Sequence, residues 1–311
     1  MESTVTAVGQ QVSRRSFLRG SMLGAGGLAL YAGVFERHWL EIVHKELAIA
    51  GLPGAFDGMR VAQLSDIHLD EFTEPFLLRE AVEEINRAKP DVVLLTGDYV
   101  SAEVLPRNLT LRAAWQCGSL LSRLECARRY AIFGNHDIWL GEEHVGEALT
   151  SHGITVLRNS YLPLERDGSR MWIAGIDDPV CGQPDPDKTI PSSIRNRKGE
   201  PVILMCHAPD YVDELRDHPA GQAVSLVLSG HTHGGQIRLP FVGALHLPPG
   251  GRNYVEGLFQ VGSMQLYVNR GIGSVGVPFR FDCRPEITIF TLRSAAANQA
   301  SASLSNRRLI V

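Results

Sequence analysis

Four apolar runs in this chain each stop at side chains that can bind a cation or carry a proton. The run ending at Ser65 leads to Asp66-Ile67-His68, and Val92-Val93-Leu94-Leu95 leads to Gly97-Asp98. Tyr130-Ala131-Ile132-Phe133 leads to Gly134-Asn135-His136-Asp137, and Val202-Ile203-Leu204-Met205 leads to Cys206-His207. A further segment, Gly230-His231-Thr232-His233, has the same makeup. Short continuous apolar runs suit strands buried on both faces, as in parallel sheets. Between them Leu78, Ala81, Val82, Ile85 and Ala88 mark one face of a helix that Pro90 ends, and further helices are expected over 110–124 and 142–152. This alternation requires parallel strands joined by crossover helices. Polar residues just past the strands then meet at the carboxyl edge, where open α/β sheets place their ligands.

The later half changes character. Apolar runs at 154–156, 171–175, 202–205, 225–228, 236–239, 266–268 and 287–292 read as strands with fewer helices between them. A second, more antiparallel sheet follows. The expected fold class is α/β (α+β): two mainly mixed β-sheets packed face to face with flanking helices. The catalytic domain is expected over 41–293. The Ala/Ser/Asn-rich stretch 294–311 reads as a disordered tail.

Residues 1–40 form a leader of another kind. Ser13-Arg14-Arg15-Ser16-Phe17-Leu18-Arg19 stands before a Gly-rich, weakly apolar run to Phe35, the pattern of a twin-arginine export signal. The run is about 16 residues, short of the ~20 that a spanning helix needs. It predicts passage through the twin-arginine export machinery and membrane association through the N-terminus. The expected location is the periplasm or the outer face of the cytoplasmic membrane. The net charge of -4, with no long basic block after the leader, argues against nucleic acid as a partner. The five cysteines show no C-x-x-C spacing, which excludes a zinc knuckle or a thioredoxin-like motif. Cys206 reads as a small buried apolar residue.

An isolated Asp-x-His more often closes a turn than holds a metal, and a lone histidine more often packs or caps. Five such segments, each at a fitting structural place, reverse that reading. Asp66 and His68 are two apart and would point the same way in extended chain, as would His231 and His233, with Thr232 facing away. A carboxylate can bridge two cations, and Asp98 is the candidate. The remaining histidines, His38, His44, His144, His152, His218 and His246, have packing or surface roles by default, with His246 a candidate for a substrate mouth. Asp177-Asp178 reads as a turn after a strand. Arg270 and Arg280 would suit either a phosphate fork or a surface salt bridge.

In order, the five segments resemble the D-x-H, G-D, G-N-H-D/E, H and G-H-x-H motifs of the calcineurin-like metallophosphoesterase superfamily. The match runs from Arg60 to His233. Leu52-Pro53, Phe56-Asp57-Gly58, the run 230–236, Asn269-Arg270-Gly271-Ile272-Gly273 and Arg284-Pro285-Glu286-Ile287 are similar to the exported or membrane-associated YkuE/YaeI-type phosphodiesterase branch. The resemblance implies two divalent ions (Mn, Fe or Zn). One would be held by Asp66, His68, Asp98 and His233, the other by Asp98, Asn135, His207 and His231. It implies His136 as the catalytic residue at the leaving oxygen and Asp137 as a residue orienting a neighbour. A metal-bridging hydroxide would then cleave a phosphodiester or pyrophosphate. Kinship extends to a glycolipid or nucleotide-sugar substrate of the UDP-2,3-diacylglucosamine type, from lipid A biosynthesis. The alternatives are a phosphomonoesterase and a non-catalytic, metal-stabilised, membrane-associated binding protein.

Overall fold

The computed structural model describes residues 13–69, 72–102 and 105–294, so most of the tail expected over 294–311 lies outside the described residues. In chain order the strands are β1 (Glu41–Ile49), β2 (Arg60–Leu64), β3 (Val92–Leu95), β4 (Arg129–Ala131), β5 (Thr155–Val156), β6 (Ser160–Arg166) and β7 (Ser169–Gly175). They continue with β8 (Val202–Met205), β9 (Val224–Ser229), β10 (Arg238–Leu239), β11 (Gly243–Ala244), β12 (Gly257–Val261), β13 (Met264–Val268) and β14 (Glu286–Ser294). One 6-stranded sheet has the order β1-β14-β2-β3-β4-β5 and the other β12-β13-β9-β8-β7-β6, with β10-β11 a separate hairpin. In the first sheet β14 and β2 pair antiparallel and its other pairings are parallel. In the second, β6-β7 and β12-β13 are antiparallel around a parallel centre. The later sheet is therefore the more antiparallel one at its edges only.

The apolar runs are continuous because each strand feeds two cores. Val92 and Leu94 face the layer between the sheets, whereas Val93 and Leu95 face the helices outside. Ile203 and Met205 enter the same middle layer, while Val202 and Leu204 turn to the far side. Each such side chain removed from water contributes roughly 1.5–3 kcal/mol, an upper figure because unfolded chains are partly compact. Helices α1 (Arg14–Leu30), α2 (Pro75–Ala88), α3 (Arg107–Leu121), α4 (Asn135–Leu140) and α5 (Glu142–Thr150) precede the second sheet. The apolar face of α2 packs Leu78, Ala81, Val82 and Ile85 against the first sheet. No residue of α1 is buried.

Two connections tie the sheets together at their carboxyl edges. The Gln63 side-chain amide donates to Thr96 Oγ1 (3.1 Å) in one sheet's loop and to the Ser229 carbonyl (2.9 Å) in the other. The Asn269 side-chain amide, just past β13 in the second sheet, donates to Thr288 Oγ1 on β14 of the first at 2.9 Å. The loops that follow β2, β3, β8 and β9 are thereby drawn to one place.

Candidate metal centre

Backbone turns, not extended strands, aim the polar groups. Asp66 (φ 50°), His68 (46°), Asp98 (56°), His231 (74°) and His233 (51°) all adopt left-handed conformations. That region is unfavourable for residues with a Cβ and is found where a surrounding structure enforces it. The expectation that Asp66/His68 and His231/His233 each share a direction by strand alternation is corrected here, because neither pair lies in extended chain. His231 and His233 in fact serve different groups. Asp66, His68 and His233 bring one ligand atom each within 4.8 Å of one another, and so do Asp98, His207 and His231. A third overlapping set joins His68, Asp98 and His136. Asn135 and His136 line the same cavity as Asp98, His231 and His233. Asp137 lies beneath them. Its carboxylate accepts the backbone N–H groups of Asp98 (2.8 Å), Gly134 (2.9 Å) and Tyr99 (3.0 Å), which fixes the turn at Asp98 against the start of α4.

Each imidazole is oriented from behind. His68 Nδ1 sits 2.8 Å from Ser101 Oγ, His207 Nδ1 2.7 Å from the Thr96 carbonyl and His231 Nε2 2.8 Å from the Pro249 carbonyl. In His68 and His207 this leaves Nε2 facing Asp98 Oδ2, at 3.5 and 3.1 Å. Neither of those buried nitrogens has a hydrogen bond of acceptable geometry, and neither has Asn135 Oδ1. Burial is what keeps His68 below the usual imidazole range. Burial, then His207, pulls His231 down to about 4, and burial, then Arg280, pulls His233 down to about 3. These rings are neutral at pH 7, the form that offers a lone pair. At Asp98 burial opposes the charge, but His207, His136 and His68 overcome it and hold the carboxyl well below its ordinary value. At His207 burial is likewise overcome, by Asp98, Asp66 and Asp178, and its imidazole is held well above the ordinary range.

The donor set fits divalent cations. Asp66 and Asp98 are fully buried or nearly so, and among the described residues they form ion pairs with histidines alone. Buried carboxylates need compensating charge. Imidazole nitrogens and an amide oxygen without partners surround them, a mixed N/O set that suits Mn²⁺, Fe or Zn²⁺ once a cation displaces the His207 proton. Glycine completes the cradle. A Cβ at Gly134 would stand 2.2 Å from Asp98 Oδ1 and 2.7 Å from His207 Nε2.

Several residues near the site were not legible as such. Arg280 is fully buried and gives its guanidinium to the carbonyls of Gly273, Cys283 and Arg270, bracing the loop beside His233. Arg270 pairs with Glu41 and Glu286. Neither arginine lines the cavity, so the phosphate-fork reading fails, and for Arg280 so does the surface salt bridge. Asp178 does sit in a turn, accepting N–H groups from Val180 and Cys181, yet it is fully buried and its Oδ1 has no partner. His246, by contrast, was already a candidate for the substrate mouth, and it lines the cavity. Thr232, which also lines the cavity, donates its hydroxyl to the Val255 carbonyl at 2.6 Å.

Two mixed sheets bearing this cluster at their joined edges define a metal-dependent phosphoester hydrolase. The chain belongs to the calcineurin-like phosphoesterase family, whose model matches residues 59–235. It is 38% identical to the uncharacterised metallophosphoesterase YkuE of Bacillus subtilis, across 92% of this chain and 99% of that one. It is 35% identical to the phosphodiesterase YaeI of Escherichia coli, across 90% of this chain and 99% of that one. A transmembrane protein with metallophosphoesterase domain from Danio rerio is 32% identical across 86% of this chain and 61% of its own length. The chain is an enzyme that acts on a small-molecule phosphoester.

Proposed function

We propose that this protein is a dinuclear metal-dependent phosphodiesterase. The observation that carries the reading is Asp98, a buried carboxylate shared between two overlapping groups of ligand atoms. Asp66, His68, Asp98 and His233 would hold one divalent ion, and Asp98, Asn135, His207 and His231 the other. Ions bound there supply Lewis acidity to phosphoryl oxygens and a water of lowered pKa. His136 supplies a proton donor at a defined atom. Its Nδ1 accepts the Ala102 N–H at 3.1 Å, which assigns the remaining proton to Nε2. A neutral imidazole of that tautomer stabilises a departing oxygen by hydrogen bonding. Full transfer would leave an imidazolate.

Diesters are favoured over monoesters by the lining of the cavity. Among the described residues it contains no lysine or arginine, which a dianionic monoester would call for. YaeI is named a phosphodiesterase. Export by the twin-arginine route, with residence in the periplasm or on the outer face of the membrane, is supported by Ser13-Arg14-Arg15 at the head of α1. Membrane association gains support from the zebrafish relative, named a transmembrane protein. A UDP-2,3-diacylglucosamine-type substrate is consistent with the apolar cavity walls. The test is hydrolysis of bis-p-nitrophenyl phosphate by chelator-treated protein with Mn²⁺ restored. Metal-dependent turnover, two ions per chain by elemental analysis, and loss of both in Asp98→Ala are expected. Full turnover without metal, or in Asp98→Ala, would falsify the proposal.

A further inference from the structure

We infer that the hairpin at the cavity mouth is a membrane wedge, and that the site draws its phosphodiester from a lipid bilayer; this rests on the phosphodiesterase reading above. The hairpin β10-β11 turns through Pro240-Phe241-Val242. Phe241 is fully exposed and Val242 is 68% exposed. Phe241 also has φ 67°, a conformation that a water-facing turn normally gives to glycine or asparagine. A large aromatic at this tip, displayed to solvent on a strained backbone, is costly unless something apolar receives it.

The tip is continuous with the site. Ile237 and Leu245, at the base of the hairpin, line the cavity of about 510 Å³ whose floor is Asp98, His136 and His231. Val275 and Val277 form another wall, and Trp139 and Val180 line it too. The lining between the hairpin base and the ligand cluster is mostly apolar, with Thr232, Gln236 and His246 as its polar side chains, so a hydrocarbon-bearing substrate can seat its chain there and its phosphoryl group at the cluster. Hydrolysis of such a diester adds water across one P–O bond and releases a phosphomonoester and an alcohol, with no other reactant.

A second apolar element leaves the domain from the same edge. The Arg238 N–H donates to the Phe281 carbonyl (2.9 Å) and the Phe281 N–H to the Gln236 carbonyl (3.0 Å), so the hairpin base is laced to residue 281. On that residue rests the Tyr31 ring, 6.4 Å between centroids, and the Arg280 N–H donates to the Ala32 carbonyl at 3.1 Å. Helix α1 ends there, and it exposes Phe17, Leu18, Met22 and Leu23. No described helix is long and apolar enough to cross a membrane. Apolar side chains on a helix that also carries Arg14, Arg15 and Arg19 suit the surface of an anionic bilayer. That charge match, together with the continuity of the hairpin and cavity, selects a bilayer over a protein partner.

The experiment uses the full chain and vesicles of phosphatidylcholine with phosphatidylglycerol. Flotation of Phe241→Asp/Val242→Asp is expected to show vesicle partitioning weaker than wild type by about tenfold or more. Circular dichroism and thermal unfolding check that the variant is folded. Phe241→Trp supplies a direct reading of depth: its additional fluorescence should shift to the blue on vesicles and be quenched by brominated acyl chains. Partitioning equal to wild type, with no quenching at position 241, overturns the wedge. So does a vesicle-independent effect in which the aspartate variant merely dissociates a dimer in gel filtration. Turnover of soluble bis-p-nitrophenyl phosphate by wild type is read separately. Its absence would sink the phosphodiesterase reading while leaving vesicle insertion measurable.

Discussion

At the residue scale, Asp98 carries the densest set of constraints. Its N–H is held by Asp137, its Oδ1 accepts the His136 N–H at 3.0 Å, and its Oδ2 faces His68 and His207. His136 stands apart because its Nδ1 is occupied by a backbone amide. His136→Ala is therefore expected to keep its metal content while turnover of a diester falls about 10²–10³-fold, the usual cost of one lost transition-state donor. Steady-state kinetics beside elemental analysis checks this, and parallel loss of metal would assign His136 to the ligands instead. Acid sensitivity follows from the depressed imidazoles. His231, at about 4, and His233, at about 3, stay neutral in the folded chain while the unfolded chain takes protons below pH ~6.5. Each group is thus a source of stability present above the unfolded value and lost as pH falls toward the folded one, at up to about 1.4 kcal/mol per pH unit. Urea unfolding of chelator-treated protein should weaken between pH 6.5 and 4, and His233→Asn should flatten the slope. These residues were readable in sequence because ligand chemistry has few side-chain types. Ser101 and the carbonyls of Thr96 and Pro249, which aim the rings, were not, because a hydroxyl or a carbonyl carries no signature of its task.

At the scale of elements, strand identity was legible where a run is apolar throughout. β3 and β8 match their runs. β6 was missed because Ser160–Arg166 mixes Tyr, Pro and Glu on an edge that needs little burial. Helix α4 was missed because the Gly-Asn-His-Asp segment reads as a loop. Its first turn is set by Asp137, whose carboxylate accepts the Gly134 N–H at 2.9 Å. The junction of β4 and α4 leaves no room for a side chain. Gly134→Ala would drive a methyl into Asp98 and His207, so loss of metal binding and at least about 10²-fold lower turnover is expected, comparable to a misplacement of about 1 Å at a reacting centre. Gly26→Ala in α1 has nothing within 4 Å of the new methyl and is the matched control. Equal activity of the two variants would show that the cradle yields.

At the scale of the whole molecule, the two-sheet plan followed from the change in strand and helix frequency along the sequence, but its closure did not. β14 inserts between β1 and β2 and brings the last described strand into the first sheet, a pairing of residues far apart in the chain. No local pattern encodes such a return. The N-terminal segment is bound into the same architecture beyond α1. The Cys283 N–H donates to Glu36 at 2.7 Å, Arg37 donates to the Phe72 carbonyl at 3.0 Å, and His38 meets Glu74 at 3.0 Å. Cys283 in turn lies against the His233 carbonyl, so residues 31–38 brace the loop that carries a candidate ligand. Two truncations separate tether from brace. None of the described residues 13–30 is buried, so on removal of residues 1–30 thermal stability and turnover of a soluble diester should match the full chain. Removing residues 1–40 also deletes the buried Glu36 and its bond. Leaving that amide unpaired costs about 1–3 kcal/mol, or a fall in Tm of roughly 2–5 °C for a chain of this size. Calorimetry of the two truncated chains checks the difference. If both melt with the full chain, the contacts at Glu36, Arg37 and His38 contribute nothing to the fold. If both melt early, α1 is itself a structural part of the domain.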